Sequence, residues 1–230
     1  MIDLHSHILP GIDDGSPDLE TTQRLLRTLS TQGVQAVVAT PHFYANRDLP
    51  ENFLQRRAAA LNTVSSLGDG YPQIIPGAEV SYFSGISYST AMEKLQLGAS
   101  GLLLVEMPFC PWTAGIVQDI CNIPQRIGLT PVLAHINRYR HRKQLPRYKD
   151  ILLDNGVLFQ CNAEAFLSKG TQRWALKLLA AGSIHFLGSD THNLTTRAPN
   201  LQQAAQIITE KLGADTLNKL TAFTKDTLKL

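Results

Sequence analysis

Short apolar, β-rich runs recur along this chain, and most of them stop on a histidine or a carboxylate. His5 and His7 follow Met1 to Leu4, His42 follows Val34 to Pro41, and Glu79 follows Ile74 to Ala78. Glu106 ends Leu102 to Val105, His135 follows Thr130 to Ala134, and Asp190 and His192 follow Ile184 to Ser189. Asp13 and Asp14 stand in a glycine-bearing loop after the first run. Metal-binding residue types at the C-terminal ends of successive strands are where an α/β barrel gathers its chemistry. One convergent site is therefore expected.

Between these runs the apolar residues take helical spacing. Leu19, Thr22, Leu25, Leu26 and Leu29 form one stripe that ends at Gly33, with Ser16-Pro17 placed to cap the helix and open its first turn. Helices are expected over 51–67, 112–127, 145–155, 171–181, 199–211 and 214–228, and strands over 73–80, 101–106, 130–134, 157–161 and 184–188. That makes about seven β/α units. With 230 residues, of which 43% are hydrophobic, the chain can bury one barrel core, so residues 1–230 are expected to form a single domain.

Other classes are disfavoured. The formal charge is +2 with no long charged block, so no nucleic-acid partner is indicated. No apolar run reaches the 18 or so residues that membrane insertion needs, and the first residues lack a secretory pattern; a cytoplasmic protein is expected. Cys110, Cys121 and Cys161 have no CxxC spacing, and none has an arginine six residues later, so cysteine-based chemistry is disfavoured.

Side chains at i and i+2 of an extended segment share a face, so His5 and His7 can address one cation. Imidazole and carboxylate without thiolate suit Mn, Fe or Zn, and so large a set of them is too many for one tetrahedral ion. Clustered divalent ions ionise water near neutral pH and neutralise phosphoryl charge, which is phosphoester hydrolysis chemistry.

The set His5, His7, Asp14, His42, Glu79, Glu106, His135, Asp190 and His192 resembles the polymerase and histidinol phosphatase (PHP) superfamily. Within it, the opening Ile2 to Ser16, Thr40-Pro41-His42, Gly77 to Val80, Glu106-Met107-Pro108, Ala134 to Tyr139 and Ser189 to Asn193 resemble the capsular or exopolysaccharide tyrosine-protein phosphatases of the CpsB/YwqE type. The likeness covers nearly the whole chain. It departs at Ile136-Asn137, where that branch usually carries Pro-Glu.

The resemblance implies a distorted (β/α)7, TIM-barrel-like α/β fold and three divalent metal ions, Mn foremost. His5, His7, Glu106 and Asp190 would hold one, Glu79, Glu106 and His135 a second, and Asp14, His42 and His192 a third, with Glu79 open to sharing. It implies hydrolysis of phosphotyrosine on a protein, in particular the tyrosine-rich tail of a membrane-associated tyrosine autokinase. Arg138 and Arg197 would bind phosphate through their guanidinium forks, and His42 or His192 would assist the leaving group. Asp3 is expected to orient a ligand histidine, Asp13 to be a solvated loop residue, and His141 and His185 to lie outside the site. Phe43, Tyr44, Tyr82, Phe83, Phe109 and Trp112 are candidates to flank a substrate ring. The basic run Arg138, Arg140, Arg142, Lys143, Arg147 and Lys149 is a candidate to steer an acidic tail. Two alternatives remain open: a histidinol-phosphate phosphatase of the same superfamily, and a metal-binding regulatory partner of the kinase with little turnover.

Overall fold

The computed structural model describes residues 1–142 and 144–230, with residues 141 and 142 described by their backbone alone. Lys143 and the side chains of His141 and Arg142 thus lie outside the described residues.

The chain starts with strand β1 (Ile2–Ser6) and helix α1 (Leu19–Thr31). Thr22, Leu25, Leu26 and Leu29 form the buried stripe of α1. Its cap is Asp18, whose carboxylate accepts from the Thr21 amide at 2.8 Å, and not the expected Ser16. Ser16 is buried instead, with its hydroxyl 2.9 Å from that of Thr22.

The second expected strand is broken at Pro41 into β2 (Ala36–Ala39) and β3 (His42–Phe43). After α2 (Pro50–Ser65), the third is broken likewise into β4 (Gln73–Pro76) and β5 (Glu79–Ser81). Two 3-10 turns, Ile86–Tyr88 and Thr90–Leu95, then lead to β6 (Leu102–Glu106). The expected helix over 112–127 divides into α3 (Ala114–Cys121) and α4 (Ile123–Ile127), where Pro124 cannot donate a helical hydrogen bond. The remainder is β7 (Thr130–Leu133), a 3-10 segment (Ile136–Arg142), α5 (Gln144–Asp154), β8 (Leu158–Asn162), α6 (Glu164–Leu167), α7 (Gln172–Ala180), β9 (Phe186–Gly188), α8 (Leu201–Leu212) and α9 (Ala214–Leu228).

Every ladder is parallel. The strand orders are β1-β2-β4 and β3-β5-β6-β7-β8-β9. Because β3 continues from β2 and β5 from β4, these are two stretches of one curved wall. The ring closes between β1 and β9: Ser6 bridges Thr191, the Asp190 amide donates to His5 O at 2.8 Å, and the His7 amide donates to Thr191 O at 2.9 Å. A distorted barrel of seven strand positions results.

Period-two alternation layers its interior. Leu4, Val38, Ile75, Leu104, Val132 and Phe186 belong to one apolar cluster, which Leu228 of α9 joins. Further along the same faces come Glu106, two past Leu104 in β6, and Gln160 and Asn162, two and four past Leu158 of β8, which packs against that cluster. The polar layer thus rests on an apolar floor. In β1 the register against β2 shifts between Asp3 and Ser6.

Tolerances between floor and polar layer are small. A Cβ at Gly188 would lie 2.6 Å from His5 Cβ and 2.7 Å from Gln160 Nε2. Gly188→Ala is expected to lower stability by about 1–3 kcal/mol through overpacking, measured as a drop in the thermal unfolding midpoint; an unchanged midpoint would mean that β9 can recede. Gly15 is tighter still, since its Cβ would lie 2.2 Å from His7 O.

Candidate metal centre

The strand ends bring the expected residues together. His5 Nε2 lies 3.1 Å from His7 Nε2, and both approach Glu79 Oε2, at 3.3 and 3.4 Å, and Asp190 Oδ1, at 3.6 and 3.5 Å. His135 Nε2 stands 2.8 Å from Glu79 Oε1 and 3.4 Å from Glu106 Oε1. Asp14 Oδ1 faces His42 Nε2 at 3.4 Å and His192 Nε2 at 3.5 Å. Glu79 arrives opposite His42 because the two are register partners in β3 and β5.

Three groupings have ligand atoms close enough to share a cation: His5, His7 and Asp190; His42, Glu79 and Glu106; and His7, Asp14, His42 and His192. They depart from the expected partition. Glu106 does not group with His5 and His7, and His7 joins the Asp14 grouping.

The donor chemistry fits metal better than a hydrogen-bonded core. His42 Nδ1 lies 2.9 Å from Glu79 Oε2, yet neither atom has a partner in hydrogen-bonding geometry, and His192 Nε2 is likewise unpartnered although buried. Leaving such groups dry and unpaired is costly, and a cation between them removes that cost. Burial opposes the charge on Glu79, but His5, His135 and His42 outweigh it and hold the carboxyl well below its ordinary range. The His192 imidazole is pushed down to about 3 by burial and by the nearby His7 and Arg197. Its Nδ1 lies 3.0 Å from Asp190 O, leaving Nε2 as the ligand-type atom. A neutral ring with a free Nε2 suits a ligand better than a proton donor.

Backbone strain also gathers here. His135 and Asp190 have φ of +34° and +53°, and among the described residues the only other non-glycine with positive φ is Lys229 near the chain end. Side chains rarely accept that region unless their surroundings hold them there.

A second ring of residues fixes these groups. Asp13 is not a solvated loop residue: its Oδ2 accepts from His7 Nδ1 at 2.7 Å and from the His42 amide at 3.0 Å, while Oδ1 accepts from the Gly15 amide at 2.9 Å. Despite burial, these contacts pull its pKa down to about 2. For His7, burial is outweighed by Asp13 and Glu79, which raise it to about 10. Asp13→Ala should lower metal affinity about 10- to 100-fold, read by metal titration of the apoprotein, with Asp13→Asn retaining more because it keeps an acceptor. Equal affinity in all three proteins would deny Asp13 this role.

Asp3, pushed up to about 6 by burial, accepts from the His5 amide at 3.2 Å and the Ser189 amide at 2.8 Å, so it ties β1 to β9 and reaches His5 through the backbone. Gln160 and Asn162 do more than the sequence reading allowed. Gln160 Oε1 lies 3.2 Å from His5 Nδ1 and accepts from the His135 amide at 2.6 Å. Asn162 Nδ2 donates to Asp190 Oδ2 at 2.9 Å. Their signal was available, as two polar residues two apart at the end of the strand that lacks a ligand. Asn137, at the departure from the family pattern, accepts from the Asn162 amide at 3.0 Å.

Arg138 and Arg197 both reach the site. Each engages Asp190 through one nitrogen, Arg138 at Oδ2 and Arg197 at Oδ1, the latter at 2.6 Å, and each side chain is about a third exposed. Of the candidate aromatics, Phe43 does not line the mouth: it is 1% exposed and packs on Phe53. Trp112 is also buried, against Tyr139. Tyr44, with its ring 5.4 Å from that of His42, and Phe109, nearly parallel to His135 at 6.4 Å, remain beside the histidine cluster. His185 lies apart, its Nδ1 accepting from the Phe159 amide at 3.0 Å. Cys121 and Cys161 are buried, and burial raises both thiols. Within the basic run, Lys149 pairs with Asp150 and Arg147 lies over Tyr148. No described helix is long and apolar enough to cross a membrane.

Comparison with known proteins gives a consistent picture. The family described as capsular polysaccharide synthesis, CpsB/CapC, matches residues 1–228. The tyrosine-protein phosphatase CpsB of Streptococcus pneumoniae is 33% identical, over 96% of this chain and 94% of its own. The tyrosine-protein phosphatase YwqE of Bacillus subtilis is 28% identical, over 94% of this chain and 86% of its own. A crystal structure from work on these two proteins, described there as unique metal-dependent tyrosine phosphatases, superimposes with a TM-score of 0.86 at 26% identity, covering 100% of this chain and 94% of the other.

Proposed function

Because this chain belongs to the CpsB/CapC family of capsular polysaccharide synthesis, we propose that it is a metal-dependent protein-tyrosine phosphatase. The observation that carries this reading is the convergence of imidazole and carboxylate atoms, several buried and unpartnered, beneath two guanidinium groups. His5, His7, Asp14, His42, Glu79, Glu106, His135, Asp190 and His192 would hold three divalent cations. Mn is the ion the family resemblance favours, and Fe and Zn also suit mixed imidazole and carboxylate ligation. Bound there, such ions supply Lewis acidity toward phosphoryl oxygens and ionise water near neutral pH.

The chain's own residues provide the rest. Arg138 and Arg197 each spend one nitrogen on Asp190, and Arg197 Nη1 also stands 4.0 Å from Asp14 Oδ2; the other N–H donors of the two guanidinium groups bind phosphoryl oxygens. Tyr44 and Phe109 flank the substrate ring. Tyrosine's phenolate, with a pKa of about 10, leaves without strong protonation, so a neutral His192 is no handicap. His42 and His192 serve as ligands first, and assistance to the leaving group is secondary. The buried thiols take no part.

The substrate class is phosphotyrosine in protein. Within it, the likeness to capsule phosphatases supports the tyrosine-rich tail of a membrane-associated autokinase, met in the cytoplasm.

The deciding experiment measures phosphate release from a phosphotyrosine peptide and from histidinol phosphate, using Mn-loaded protein and a chelator-treated control. Chelator-sensitive turnover of the peptide is expected. Preference for histidinol phosphate would move the protein to that branch, and no turnover of either would favour a regulatory binding partner.

A further inference from the structure

Beside the metal centre lies a recess of about 220 Å3, bounded by the loop after β3 and the loop after β5. Tyr44, Tyr82 and Phe83 supply its aromatic walls, Asn46 and Ser81 its neutral polar groups, and Arg47 its one charged side chain. Arg47 also lines a neighbouring hollow of about 410 Å3 that contains Asp14 and His42. Its guanidinium stands 4.9 Å from the Tyr44 ring centre, and no ion pair engages it among the described residues. The nearby Arg56, by contrast, is held by Asp48 at 2.6 Å.

The recess is built on rigid supports. Asp119 of α3 grips the loop after β5 from behind, accepting from the Tyr82 hydroxyl at 3.2 Å, the Gly85 amide at 2.8 Å and the Ser87 hydroxyl at 2.5 Å. On the other side, the Arg47 amide donates to Tyr44 O at 2.9 Å. Tyr44 lies two residues past His42, and Ser81 two past Glu79. The recess therefore opens two residue-steps past the cluster, about 6.6 Å at the rise of an extended chain, within reach of a side chain flanking the phosphotyrosine of an extended peptide.

We propose that Arg47 is a specificity-determining residue, pairing in this recess with an acidic side chain next to the phosphotyrosine. The inference rests on the phosphatase reading above and deepens it. A single cation in an otherwise neutral, aromatic pocket selects for negative charge and against positive charge. An exposed arginine contributes modestly, so the expected discrimination is about fivefold between glutamate- and lysine-flanked peptides.

The test uses Mn-loaded wild type, Arg47→Gln and Arg47→Glu on phosphotyrosine peptides flanked by glutamate, glutamine or lysine. Two quantities are read: kcat/KM, and the Kd of the matching non-hydrolysable phosphonate peptides by calorimetry. Wild type should favour glutamate over lysine about fivefold in both, Arg47→Gln should bring the ratio to about one, and Arg47→Glu should invert it. The same ratio in all three proteins overturns the proposal, as does a loss in Arg47→Glu that is equal for the three peptides. Hydrolysis of histidinol phosphate with no hydrolysis of any peptide would instead overturn the protein-tyrosine phosphatase reading on which it stands.

Discussion

Glu79→Gln is expected to reduce turnover of a phosphotyrosine peptide about a thousandfold, equivalent to about 4 kcal/mol of transition-state stabilisation. No other carboxylate among the described residues meets four imidazoles this closely: His5, His7 and His42 at Oε2 within 3.4 Å, and His135 at Oε1 at 2.8 Å. The amide preserves shape and removes the charge. Four imidazoles would then face a neutral group, and the site would hold divalent cations less well. Metal content by mass spectrometry should fall together with activity. Because Glu79 is fully buried, circular dichroism and the thermal midpoint of the apoprotein would be recorded alongside. A folded variant that keeps its metal and a tenth or more of its activity would remove Glu79 from the centre.

Arg138→Ala should cost about a hundredfold in kcat/KM, the scale of one lost charge-stabilising donor. Arg138→Lys should recover little, because an ammonium does not reproduce the planar fork. A purely structural role is a real competitor, since Arg138 braces Asp190, whose backbone is left-handed. The two roles separate by rescue. Added guanidinium should restore part of the turnover of Arg138→Ala if the side chain binds phosphate. Failure of rescue, with a lowered thermal midpoint and lost metal, would assign Arg138 to holding Asp190. Arg197→Ala should behave in the same direction.

The ligand-type residues were legible because they end apolar runs, and a strand end is visible in sequence as a change from apolar to polar. The breaks within β2/β3 and β4/β5 were not, because alternation continues through Pro41 and Gly77 and says nothing about which neighbour each half pairs with. Asp13 was misread for a related reason: loop residues carry no periodicity, and only the path of the backbone brings its carboxylate to His7. Phe43 shows the same limit from the other side, since its two-residue strand turns the ring toward Phe53. The partition of ligands was beyond the sequence because His7 and His42 each face more than one grouping. Ser16 lost the cap to Asp18 because its hydroxyl is spent on Thr22.

The ring closes where Ser6 meets Thr191, and His5, His7, Asp190 and His192 sit on that seam. Joining strands so far apart in sequence is the entropically expensive step of folding, and a contact of this span forms late. A cation held by residues on both sides would act as a latch on this joint. Metal supply would then set how long a newly made chain stays open to proteases, since ligand that binds only the closed ring raises its population by mass action. For this protein, metal starvation would show first as shortened lifetime in the cell, ahead of any deficit counted per surviving molecule.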